Sequence, residues 1–106
     1  MKVELLYFDG CPGYRKVERN LRDVFEREGI KEEARMIPVN TDREAEELRF
    51  PGSPTVRIGG RDLFPSEQRS SYSLRCRVYA TPEGLRDHPT REMIRAALWA
   101  IRHPHC

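Results

Sequence analysis

The sequence predicts an α/β domain whose elements run βαβαββα, with an inserted stretch before the last helix. Three observations predict it. A near-continuous apolar run, Val3 to Phe8, gives way after Pro12 to helical spacing. Val56 and Ile58 alternate with Thr55 and Arg57 ahead of Gly59-Gly60, a two-residue hairpin signal. Near the end, Ile94, Ala97, Leu98 and Ile101 fall on one helical stripe.

The first strand holds Val3, Leu5, Leu6, Tyr7 and Phe8, the pattern of a strand buried on both faces, and Asp9-Gly10 stops it. A helix is expected over Pro12 to Glu28. Proline suits a first helical turn because its missing N–H costs nothing there, and Gly29 is a natural stop. Tyr14, Val17, Leu21, Val24 and Phe25 form the inward face, while Glu18 with Arg22 and Asp23 with Arg27 make i,i+4 pairs on the wet side. Cys11 then falls at the helix N-cap, facing unpaired amides and the positive end of the dipole.

A second strand is expected over Ala34 to Val39, with Pro38 placing it at a sheet edge or ending it early. Thr41-Asp42-Arg43-Glu44 matches a capping box, opening a short helix with Ala45 and Leu48 inward that ends near Phe50, before Pro51-Gly52. Ser53 to Ile58 is the next strand, with Pro54 at its start and one buried face, and Arg61 to Phe64 returns from the hairpin. Ser66 to His88 reads mainly as loop. Within it Leu74 to Tyr79 alternates like a short strand, Leu74, Cys76 and Val78 on one face and Arg75, Arg77 and Tyr79 on the other, and Thr81-Pro82-Glu83-Gly84 is a turn. Thr90 caps the last helix, with Met93 and Trp99 bordering its stripe.

At 106 residues the chain is one small domain, 1–106, with 65–89 as an insertion or loop region. With 19 basic and 17 acidic residues interleaved, the net charge of +2 argues against a nucleic-acid partner. No apolar stretch approaches the roughly 20 residues of a membrane span, and the N-terminal run is short and flanked by charge. A cytoplasmic protein is the expectation. Cys11, Cys76 and Cys106 are too few for a disulfide scaffold, so thiols reduced at rest are expected.

Cys11 is the main chemical candidate. A thiolate at a helix start is stabilised, and it can attack a disulfide or another soft electrophile. Gly10 and Gly13 should leave its sulfur accessible, while Asp9 opposes thiolate formation. Tyr14 offers either packing at the helix start or a direct role. Cys76 is an apolar strand residue between Leu74 and Val78, or a second thiol able to swing against Cys11 or help hold a metal; the packing role is the simpler reading. His103, His105 and Cys106 carry metal-ligand chemistry but lie beside a proline at the chain end, where geometry is poorly held, and His88 reads as a loop residue. No dedicated metal site is expected.

Two segments, strand-Y-F-x-G-C-P ending at Pro12 and G-S-P-T-V-R-I-G-G over Gly52 to Gly60, resemble the thioredoxin/glutaredoxin superfamily, and more narrowly a group of small bacterial thioredoxin-like proteins. The resemblance implies a thioredoxin-like α/β sandwich with a mixed central sheet. It also implies a cis-proline at Pro54, a catalytic Cys11, and substrate contacts from Pro12, Tyr14, Ser53, Pro54 and Thr55. Ser53 would offer its backbone to an extended peptide or to glutathione. Tyr14 stands where a C-x-x-C motif has its second cysteine, so C-P-G-Y resembles a monothiol motif, resolved from outside or by another cysteine. Phe8 replaces the basic residue usual in glutaredoxins, and no second glycine pair with an acidic residue lies between Pro65 and Thr90, which weakens a glutathione site.

Two functions follow as expectations. One is a thiol–disulfide redox protein with Cys11 as nucleophile, no bound cofactor, glutathione as a co-substrate candidate, and a thiol or disulfide substrate or partner protein. The other is a non-catalytic module that binds a soft metal ion, mercury included, or a partner peptide through Cys11, alone or with Cys76; thiolates select soft ions.

Overall fold

In the computed structural model, which describes residues 2–65 and 72–103, strand β1 (Val3–Tyr7) lies inside a four-stranded mixed sheet. It pairs in parallel with β2 (Arg35–Pro38) and antiparallel with β3 (Thr55–Ile58), which pairs antiparallel with β4 (Arg61–Asp62). Leu5 and Leu6 point to opposite faces, and both are buried. The run is apolar throughout because both faces are covered. Val3, Leu5, Val56 and Ile58 pack against α1 (Gly13–Arg27) and α3 (Arg91–Arg102) through Val17, Leu21, Ile94 and Leu98. Leu6 packs on the other face with Val39, Ala45 and Phe50, beside α2 (Asp42–Leu48).

The parallel β1–β2 pair requires a crossover, and α1 supplies it. It starts one residue later than expected, with Pro12 as N-cap, so Cys11 lies just outside the cap. Glu18 and Arg22 pair as predicted, at 3.3 Å. Asp23 pairs with Arg91 at 2.6 Å, tying α1 to α3 rather than serving its own helix through Arg27. β2 is the edge strand that Pro38 required.

Thr41 Oγ1 accepts from the Glu44 N–H (3.0 Å), and the Glu44 carboxylate accepts from the Asn40 N–H (2.8 Å), one residue earlier than the reciprocal bond of a capping box. At the other end of α2 the Arg57 guanidinium donates to the Leu48 and Arg49 carbonyls, at 2.6 and 2.9 Å, closing groups that the helix leaves open.

Four expectations need correction. Thr55 is buried like its apolar neighbours, so β3 is covered on both faces. β4 spans two residues rather than Arg61 to Phe64, although the Leu63 N–H still donates to the Val56 carbonyl (2.8 Å). Ile101 is 43% exposed, because the end of α3 runs past the core, and Trp99 stacks on His103 instead. The expected strand Leu74 to Tyr79 is reduced to one bridge, Ser53 with Cys76. Within it Arg77 and Tyr79 are buried, while Val78 is 62% exposed and Cys76 is exposed. Beyond it β5 (Tyr79–Thr81) and β6 (Gly84–Arg86) form a hairpin about the predicted turn. Expectations on Ser66, Ser70, Ser71, His105 and Cys106 lie outside the described residues. Thr90 caps α3 as predicted, its hydroxyl accepting from the Met93 N–H (3.1 Å). Among the described residues no helix is long and apolar enough to cross a membrane.

Candidate functional site

β1 ends in a turn closed by the Cys11 N–H donating to the Phe8 carbonyl (2.9 Å), and this delivers Cys11 to the start of α1. The α1 N-cap makes no side-chain cap bond, and the first turn holds no acidic residue. The positive end of this helix is therefore left to whatever lies beside it. Cys11 is only 2% exposed, so the accessibility expected from its flanking glycines is not found. The space a Cβ would take at Gly10 is filled by the Phe8 ring, and at Gly13 by the Asp87 carbonyl, 2.3 Å from where that Cβ would stand. The stretch just before α3 thus rests on the α1 N-terminus. Asn20 reinforces this by donating to the Pro89 carbonyl (3.2 Å). His88 Nδ1, 2.7 Å from Asp87, donates a hydrogen bond that holds the Asp87 carboxyl below its usual range.

Cys11 is joined to Cys76 in a disulfide that spans 65 residues, with Cα atoms 5.6 Å apart. The expectation of thiols reduced at rest does not describe this structure. Nor does Tyr14 leave Cys11 without a partner, since the second sulfur comes from the far segment. Tyr14 is buried: it stacks on Tyr7 at 4.3 Å between ring centroids, and its hydroxyl donates to Asp9 (3.0 Å).

Ser53 connects the two halves of the site. Its hydroxyl accepts from the Phe8 N–H (2.9 Å), at the end of β1. Its own N–H donates to the Arg75 carbonyl and its carbonyl accepts from the Arg77 N–H, both at 2.8 Å. The backbone edge that the resemblance offers to a peptide is thus filled by the chain's own residues 75–77, with Cys76 between them. The Ser53–Pro54 peptide bond is cis. Pro12 follows Cys11 in the chain, and Pro54 follows Ser53, the residue bridged to Cys76.

Arg77 and Tyr79 anchor this segment from beneath. The Arg77 guanidinium donates to Asp62 (2.9 Å), to the Thr55 hydroxyl (3.1 Å) and to the Phe64 carbonyl. Thr55 in turn donates to the Gly52 carbonyl (2.6 Å). The guanidinium also lies 4.7 Å from the Tyr79 ring centroid. The Tyr79 hydroxyl donates to the Pro54 carbonyl (2.5 Å). Burial pushes the Tyr79 phenol well above its usual range; Arg77 pulls it down and Asp62 pushes it up, each less than burial. Tyr79 therefore stays a donor throughout the ordinary pH range. Gly52 makes the approach feasible, with a positive φ of 143° and the Arg77 Cβ only 3.0 Å from where a side chain would begin.

The structure thus brings together Cys11, Pro12, Ser53, Pro54, Thr55 and Cys76, and turns Tyr14 to one side. Sequence reasoning missed Gly52, Asp62, Arg77 and Tyr79 as the residues that hold Cys76 in place. Alternation set Arg77 on the face opposite Cys76 without saying which face is buried, and no local signal marks Asp62 as its partner across the fold.

Chemically, the site holds a disulfide. Oxidised, it presents a disulfide; reduced, it sets two thiols at the mouth of a helix within bonding reach of each other. No family model, curated protein or solved structure matches the chain.

Proposed function

We propose that this chain is a thiol–disulfide redox protein of thioredoxin-like architecture that works through the Cys11–Cys76 pair, with Cys11 as a nucleophile at the helix start. The observation that carries the reading is the placement of that disulfide at the uncapped start of α1, beside Ser53–Pro54. The strand–turn–cysteine–helix entry and the cis bond at Pro54 support the architecture. The uncapped helix start favours a Cys11 thiolate, against the desolvation of a thiol that is almost fully buried. In the reduced chain both thiols give up a proton and together two electrons as the Cys11–Cys76 bond forms. A partner's disulfide, or glutathione disulfide, takes up those electrons and protons and leaves as two thiols. In the cytoplasm expected from the sequence, a reducing glutathione pool would return the pair to the dithiol.

The test is redox equilibration of the native protein in glutathione buffers, following the Cys11–Cys76 bond by alkylation and mass. A reversible two-electron transition, together with reduction of small mixed disulfides that Cys11→Ser abolishes, is the expected result. A pair that reduces only when the protein unfolds would make the bond a structural staple and end the redox reading.

A second reading rests on the same juxtaposition. Reduced, Cys11 and Cys76 could bridge one soft ion such as copper(I) or mercury(II). Titration of the reduced protein with either ion, giving one equivalent bound in the parent and none in both single Cys→Ser variants, distinguishes it.

A further inference from the structure

The two sulfurs of the pair are unequal, and the inequality sets the order of events. Cys11 is 2% exposed, at the end of the Phe8–Cys11 turn and two residues before Gly13, which abuts Asp87. Cys76 is exposed and lies in the wall of a cavity of about 440 Å³, which it shares with Pro51, Phe64, Arg75, Val78 and Met93. That volume is in the range of small-molecule sites. Resting on the redox reading above, we infer that Cys76 is the sulfur an incoming thiolate attacks, and that Cys11 is the thiolate expelled.

Two independent features favour this direction. The rate of thiol–disulfide exchange depends on which sulfur can be reached, and only Cys76 is open to solvent. It also rises as the leaving thiol's pKa falls. Cys11 leaves at the N-terminus of a 15-residue helix that has no side-chain cap and no acid in its first turn. The nearby Asp9 carboxylate opposes that charge, but accepts a hydrogen bond from Tyr14. Burial of Cys11 works against that stabilisation, so the reach of the incoming thiolate, more than leaving-group strength, carries the direction.

The step balances as follows. A thiolate RS⁻ bonds to Cys76 Sγ, the Cys11–Cys76 bond breaks, and its electron pair stays on Cys11 Sγ. The products are a Cys76–S–S–R mixed disulfide and a Cys11 thiolate. A second RS⁻ attacks the R sulfur of the mixed disulfide, giving RSSR and the Cys76 thiolate. The Ser53 bridge and the Arg77 and Tyr79 anchors do not depend on the sulfur bond. Cys76 therefore remains beside Cys11 while it carries R, and Cys11 can return to expel it.

The experiment uses the full oxidised chain with Cys106→Ser. It is mixed with reduced glutathione, quenched in acid at early times, alkylated with N-ethylmaleimide and mapped by peptide mass. Glutathione on Cys76 with maleimide on Cys11, at least tenfold above the converse pair, is expected. The converse assignment, or equal labelling, overturns the inference and leaves the redox reading standing. A native disulfide that neither glutathione nor dithiothreitol opens overturns both. A second measurement avoids the transient species. Thionitrobenzoate is loaded on Cys76 in Cys11→Ser, or on Cys11 in Cys76→Ser, and discharged with glutathione. Discharge from Cys76 at least tenfold faster supports the inference, and equal or reversed rates overturn it.

Discussion

The sheet with its three helices and the segment from residue 72 to 90 are held by different physics. In the first, burial follows hydropathy: Val3, Leu5, Val17, Leu21, Val56, Ile94 and Leu98 are apolar and inside. In the second, hydropathy points the wrong way. Val78 and Leu85 are exposed, while the charged Arg77 is inside, paired with Asp62 and two further acceptors. A segment with little apolar surface to bury is fixed by directional bonds, which are few and each costly to remove.

Arg77 should prove indispensable to the fold. Arg77→Leu leaves Asp62 buried without its cation, and should cost about 3–5 kcal/mol in urea unfolding. That is the scale of a core truncation such as Leu5→Ala, about 2–5 kcal/mol. Adding Asp62→Asn should return part of the Arg77→Leu loss, because the uncompensated charge is then gone.

Next in size is the disulfide. Cys76→Ser should lower stability by about 2–4 kcal/mol through the freed 65-residue loop, while the Arg77 amide stays protected in hydrogen exchange by its bond to Ser53. Loss of that protection would show that the sulfur bond, and not the polar anchors, places the segment. Gly52→Ala should cost about 1–3 kcal/mol, from a strained positive φ and the crowding of Arg77, again read in urea unfolding.

The smallest effect sharpens the comparison in pH. Tyr79→Phe should cost about 1 kcal/mol at pH 7, by leaving the Pro54 carbonyl without its donor. Burial raises the Tyr79 pKa in the folded chain above the ordinary value of 10.0. The unfolded state therefore loses its proton first, and the stabilisation is full below about pH 10 and declines above it. Urea midpoints of the oxidised protein at pH 8 and pH 11 should show a steeper alkaline loss in the parent than in Tyr79→Phe.

The same division separates what the sequence revealed from what it hid. β1, α1, the edge position of β2, the caps at Thr41 and Thr90 and the turn at Gly59-Gly60 were legible because each rests on local periodicity or local hydrogen bonding. Cys11 at a helix start was legible for the same reason. Its partner Cys76 was named only as an alternative, behind a packing role. Alternation set Leu74, Cys76 and Val78 on one face, but only Leu74 packs on the core, while Cys76 and Val78 are exposed. That facing depends on Asp62, 15 residues from Arg77 in the chain, and on Ser53, whose two backbone bonds select the register. Neither long-range partner leaves a periodic trace.

The sheet's two borders have a consequence for behaviour at high concentration. On one side β2 carries Pro38, which offers no N–H, and on the other β4 is two residues long. An open strand is a template on which another chain can add, and proline and brevity are two ways in which that template is blunted. Both flanks of this sheet are therefore poor seeds for fibrous growth.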